Sequence, residues 1–152
     1  MRTIIALAIV LLSLGRVDAA EGALTGKMTN YNALLGGEWT CSAMGATYYA
    51  NFDVAPGNTL HGRLYSKNGS EDTYYGYDAK GKLYWIDDAD SNGATEWLTS
   101  TDGLTYAGTL NSAGSITKAS DVETLGAKTW ILRARGTAGG QPYDVTATCR
   151  RK

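Results

Sequence analysis

The sequence predicts an all-β fold: an antiparallel up-and-down β-barrel of about ten strands, with eight possible, preceded by a short helix. Three observations predict it. Apolar and polar residues alternate in short runs from Trp39 almost to the end of the chain, the period of a strand with one buried face. Turn signals separate those runs, and the chain spends 19 glycines but only two prolines, mostly between the runs. Its two cysteines, Cys41 and Cys149, stand in the first and last of the predicted strands.

The N-terminus reads differently. Met1-Arg2 is followed by Ile4 to Leu14, apolar except for Ser13, and then by Val17-Asp18-Ala19. That is the pattern of a secretory signal peptide over residues 1–19, cleaved between Ala19 and Ala20. The apolar run is shorter than the ~20 residues that span a bilayer, so no membrane span is expected after cleavage. The expected location is secreted or periplasmic. Residues 20–30 are small, polar and aperiodic and read as a flexible N-terminus. Met28 to Leu35 reads as a turn or two of helix, capped by Thr29 or Asn30 and ended by Gly36. The barrel domain is expected over residues 31–152.

From Gly37 the pattern is β. Trp39, Cys41 and Ala43 share one face, then Tyr48, Ala50, Phe52 and Val54 after Gly45. Pro56-Gly57-Asn58 turns the chain into Leu60, Gly62 and Leu64, and Asn68-Gly69 is a hairpin signal before a tyrosine-dense strand, Asp72 to Asp78. Leu83 to Asp87, Thr95 to Ser100 and the run through Tyr106 and Leu110 follow, separated by Ser91-Asn92-Gly93 and Asp102-Gly103. A weaker strand carries Ile116 and Val122. Trp130, Leu132 and Ala134 alternate with Ile131 and Arg133, a loose loop is expected over Gly136 to Gly140, and Tyr143, Val145, Ala147 and Cys149 close the series.

In an exported chain two cysteines read as one disulfide. Metal ligation by the pair is the weaker reading, because one histidine alone is there to join them. In a barrel with an even strand count the first and last strands are antiparallel neighbours, which brings Cys41 beside Cys149. An odd count would separate them by a strand's length. The chain-entropy model gives such a long loop about 4 to 5 kcal/mol of stabilisation.

Leu35-Gly36-Gly37-Glu38-Trp39, together with Gly76-Tyr77-Asp78-Ala79-Lys80-Gly81 and Thr99-Ser100-Thr101-Asp102-Gly103, resembles the calycins, the superfamily of the lipocalins. The pattern is most similar to bacterial exported lipocalin-like domains of unknown function. The resemblance covers roughly residues 30 to 150. It implies a barrel with a cavity, Trp39 as a plug at one end, and a late-strand arginine packed over that tryptophan. Arg133 is the first candidate for this arginine and Arg135 the second. The resemblance implies no particular ligand.

The charge balance is close to neutral, with 14 basic and 15 acidic residues, so a nucleic-acid partner is not expected. His61 shares the parity of Arg63 and Tyr65, which places it on the outside and argues against haem ligation. With one histidine and no Gly-x-Ser-x-Gly turn, no nucleophile and base pair stands out, and the chain is not expected to be an enzyme or to carry a cofactor. Asp87, Asp88 and Asp90 read together as a solvated hairpin tip. Asp88, Asp90 and Asn92, followed by Gly93, match the first half of a calcium loop; the second half fails, because Thr99 stands where a glutamate is needed.

Ten tyrosines and four tryptophans against one phenylalanine suit a cavity that holds an amphipathic molecule, although sheets also favour these residues for packing alone. The expected lining residues are Tyr48, Phe52, Leu64, Trp85, Tyr106, Trp130 and Arg133. The expected function is a monomeric, exported barrel that binds a small apolar or amphipathic molecule. The alternative is a structural or interaction protein of the cell envelope, with a filled barrel and no ligand.

Overall fold

The computed structural model describes residues 23–152; the expected signal peptide, residues 1–19, lies outside them. One helix, α1 (Lys27–Leu35), precedes ten strands: β1 (Gly37–Ala43), β2 (Ala46–Ala55), β3 (Thr59–Ser66), β4 (Gly69–Asp78), β5 (Leu83–Asp90), β6 (Thr95–Ser100), β7 (Thr105–Ser112), β8 (Ser115–Leu125), β9 (Thr129–Ala138) and β10 (Gln141–Arg151). Each strand pairs antiparallel with its sequence neighbours, and β10 pairs with β1 to close the barrel. The strand count among the described residues is therefore ten. Closure leaves no sheet edge with unpaired backbone groups among them. No helix among the described residues is long and apolar enough to cross a membrane.

Cys41 and Cys149 are directly opposite each other in the β1–β10 ladder and form the disulfide. Both side chains point inward, on the parity shared with Trp39 in β1 and Ala147 in β10. The link therefore lies inside the barrel wall, across the seam where the ring closes.

The ten strands define two ends. Helix α1 and the turns that follow β2, β4, β6 and β8 are at one end. The two-residue turn Met44-Gly45 and those after β3, β5, β7 and β9 are at the other. α1 plugs the first end with Met28, Tyr31 and Leu35, all buried. Their spacing places them on one helical face. The helix begins at Lys27, ahead of the expected cap: Gly26 is its N-cap residue, with no side-chain capping bond, and the Thr29 hydroxyl instead donates to Leu24 O.

Above α1 the lumen is packed with rings. Trp39 meets Trp130 edge to face at 6.2 Å, and Phe52 does the same to Trp130 at 5.4 Å and to Tyr75 at 5.9 Å. Phe52 has room because Gly62 lies opposite it on β3: a Cβ there would sit 2.2 Å from the ring. Edge-to-face pairs of this kind add about 0.5 to 1.5 kcal/mol each beyond area burial.

Two local expectations need correction. The segment Gly136 to Gly140 is not a loose loop: β9 continues to Ala138, and Gly139-Gly140, both at positive φ, make a tight two-residue turn into β10. On β8 the two expected apolar residues do not mark the core. Ile116 and Val122 are 71% and 44% exposed, while Thr117, Ala119, Asp121 and Glu123 face inward. The register is fixed by the neighbours, where Asp121 stands opposite the buried Tyr106.

Candidate functional site

The packed rings fill only the α1 half of the barrel. Toward the other end the lumen opens into a cavity of about 460 Å³. It is lined by Tyr48, Leu64, Trp130, Leu132 and Val145 on one side and by Glu71, Asp88, Asp90, Glu96 and Asp121 on the other. No Lys, Arg or His is among its lining residues. The acidic residues belong to β4, β5, β6 and β8, four strands whose inward parity is set by buried residues lower in the wall: Tyr75 for Glu71, Ile86 for Asp88 and Leu98 for Glu96.

Register places like charges side by side. Asp88 is directly opposite Glu96 across the β5–β6 ladder, and Glu71 is directly opposite Asp90 across β4–β5. Directly opposed like charges destabilise a sheet. Asp121 is only 5% exposed, and its Oδ1 has no hydrogen-bond partner. The indole Nε1 of Trp130, a residue 1% exposed, is also unpartnered.

Burial and mutual repulsion push these carboxyls toward their protonated forms. Glu96 rises to about 8, chiefly through desolvation and then through Asp121 and Glu71; the Tyr143 hydroxyl, 3.4 Å from its Oε1, opposes this weakly. Asp121 rises to about 7 through desolvation, Glu123 and Glu71. Burial, and then Glu71, raises Asp88 well above the carboxylate range, and burial followed by Asp90 raises Glu71.

Below the cavity, Glu123 anchors a separate network. Tyr31 donates to its Oε2 at 2.5 Å and Tyr75 to its Oε1 at 2.8 Å, while the Tyr31 and Tyr106 hydroxyls meet at 3.1 Å. Desolvation lifts Glu123 to about 7 even though both donors lower it. Both of its oxygens are satisfied by the protein, so this group ties α1 to the barrel wall.

The expected site residues divide accordingly. Tyr48, Leu64 and Trp130 line the cavity. Phe52 and Tyr106 are buried beneath it, in the ring cluster and the Glu123 network. Trp85 is on the outer wall, lying across Gly76 and stacked on Trp97 at 5.5 Å, because Ile86 takes the inward position.

Arg133 is also outside, with Nε and Nη2 donating to the two oxygens of Asp144. The arginine over Trp39 is Arg151, whose guanidinium carbon is 4.5 Å from the ring centroid. It donates to Gly36 O and Leu34 O, while Trp39 Nε1 donates to Leu35 O at 2.7 Å. The basic C-terminal tip thus contains the residue that seals the closed end.

The calcium loop is not formed. Asp88 points into the lumen, and Asp90 Oδ1 instead accepts from the backbone N–H groups of Asn92 and Ala94. The three aspartates do not form a solvated hairpin tip: Asp87 is exposed on the outer face in the middle of β5, Asp88 faces the lumen, and Asp90 alone stands at the turn. Among the described residues no three His, Cys, Asp or Glu side chains converge to hold a metal ion. His61 faces outward, as its parity predicts, with Nε2 2.8 Å from Asp72 Oδ1 and its ring stacked on Tyr74 at 4.6 Å.

No protein-family model matches the chain, and no curated protein matches it.

Proposed function

We propose that this protein is an exported, monomeric, calycin-like barrel that binds a small amphipathic molecule in the cavity at its open end, and that it binds without catalysis. The observation that carries this reading is the cavity itself. Its volume of about 460 Å³ falls within the range of small-molecule sites, and it pairs an apolar wall with a few polar groups, the make-up of such sites. Leu64, Leu132, Val145 and the Trp130 ring would take the apolar body, and the carboxyl side would take the polar end. Export is supported by the leader pattern over residues 1–19 and by the Cys41–Cys149 disulfide. The competing reading, an envelope structural protein with a filled barrel, is disfavoured by the open space above Trp130.

The test is uptake of a neutral fluorescent reporter, N-phenyl-1-naphthylamine. The wild-type protein is expected to enhance its emission. Ala134→Trp, which fills the cavity from β9, is expected to abolish the enhancement with circular dichroism unchanged. No enhancement in the wild type, or equal enhancement in the filled variant, overturns the reading.

A further inference from the structure

We infer that the ligand is an organic ammonium ion: a cationic N–H head that meets the acidic wall of the cavity at Asp121, carried on an apolar body. This inference rests on the reading of the cavity as a binding site and specifies its ligand. Three observations independent of one another support it.

The first is the cost of the arrangement. Two pairs of carboxyls, Asp88 with Glu96 and Glu71 with Asp90, face each other directly on inner walls. No basic side chain of the lining balances them. The surface offers an easier pattern, as in Asp144, which meets Arg133 and Arg135. Interior like charges oppose folding, and a bound cation would relieve them.

The second is the orphan oxygen. Asp121 is 95% buried, lines the cavity, and has an Oδ1 that accepts nothing from the protein. A buried acceptor left unmade costs about 1 to 3 kcal/mol. Its natural complement is an N–H donor brought by a ligand, which favours a primary or secondary ammonium over a quaternary one.

The third is the company these acids keep. Tyr48 and Tyr143 line the same cavity, the Tyr143 hydroxyl 3.4 Å from Glu96 Oε1, and aromatic faces attract cations, more strongly when water is excluded. A bare metal ion does not fit, because no three acidic side chains converge on one point among the described residues. The volume and the apolar wall call for an organic body behind the charge.

The test is calorimetric titration at pH 7.5 with three molecules of one shape: 4-phenylbutylamine, 4-phenylbutanol and 4-phenylbutyrate. The amine is expected to bind at least tenfold tighter than the alcohol, and the carboxylate to bind weakest. Asp121→Asn and Glu96→Gln are each expected to cut the amine-to-alcohol preference about fivefold or more, while Glu38→Gln on the outer surface leaves it unchanged. These isosteric changes remove charge from a buried site, so folding is expected to survive them. Equal binding of amine and alcohol, or preference for the carboxylate, overturns the inference while leaving the cavity a binding site. Binding of none of the three, in protein that takes up the neutral reporter, overturns it as well. Failure to take up the reporter brings down the underlying reading.

Discussion

Asp88 and Glu96 stand directly opposite each other across β5 and β6, both facing the lumen. A sheet that holds two carboxyls in that position is most comfortable when at least one is protonated. Desolvation and the other buried acids of the lumen, Glu71 and Asp121, push the same way.

Stability should fall as pH rises from about 5 to 8. Asp121 and Glu123 lie near 7 and Glu96 near 8 in the fold, against about 4 in the unfolded chain. Between those values the folded state holds more protons, so raising the pH favours unfolding. Asp121 is faced by Glu123 on its own strand, Tyr106 on β7, Glu96 on β6, Asp88 on β5, Glu71 on β4 and Tyr143 on β10; no partner there reverses the sign. The interval is worth on the order of 3 kcal/mol for Asp121 alone. Urea denaturation across pH should show this slope, and Asp121→Asn should flatten it. Below pH 4 the trend reverses, because Asp102 and Asp144 are held near 2 by hydrogen bonds and lose them on protonation.

Amine binding should show the opposite pH dependence. The ammonium stays charged while the carboxyls ionise, so affinity is expected to rise from pH 6 to 8 with proton release. Calorimetry in buffers of different ionisation enthalpy measures the protons directly; an uptake would contradict the expectation.

Cys41→Ala with Cys149→Ala should destabilise the protein by about 3 to 5 kcal/mol, since the pair closes a loop with a sequence separation of 108. Chemical denaturation compared with the wild type, oxidised and reduced, checks it. The reduced wild type and the double variant should agree.

Arg151→Ala should destabilise by about 2 kcal/mol. The guanidinium covers Trp39 and satisfies two carbonyls at the end of α1, combining a cation–π contact with charged hydrogen bonds. Arg133→Ala should be silent, because its pair with Asp144 lies in solvent. Thermal melts of the two variants separate the roles.

Tyr31→Phe should cost about 1 to 3 kcal/mol, because it leaves Glu123 Oε2 buried without its donor. It should also raise the Glu123 pKa further, since that hydroxyl lowers it. Denaturation with pH variation reads both effects.

Much of the barrel was legible because most strands carry a bulky apolar residue that fixes parity: Phe52, Leu60, Tyr75, Ile86, Leu98, Tyr106 and Trp130 are all buried. Where the inner wall turns acidic, the same rule misleads. Ile116 and Val122 drew the eye on β8, and the true inner face there carries Asp121 and Glu123. Asp88 and Glu96 were within reach, since each is two residues from the inward anchor of its own strand, Ile86 or Leu98. Asp121 was harder, because the apolar residues that share its parity, Ala119 and Leu125, compete with the outward-facing Ile116 and Val122. The misplacement of Trp85 has the same origin: a large aromatic was read as inward although Ile86 beside it had the better claim. Arg151 was invisible to pattern because its partner, Trp39, is at the far end of the chain.

The seam between β1 and β10 has a consequence for how the molecule assembles. Every other ladder joins strands adjacent in sequence and can form as a local hairpin, whereas this one must close a loop that spans all the intervening strands, the largest entropy cost of any pairing in the barrel. Since Cys41 and Cys149 are opposed in that ladder, their bond removes the cost from the one pairing that no hairpin supplies. Refolding with the disulfide intact should therefore be faster than refolding of the reduced chain.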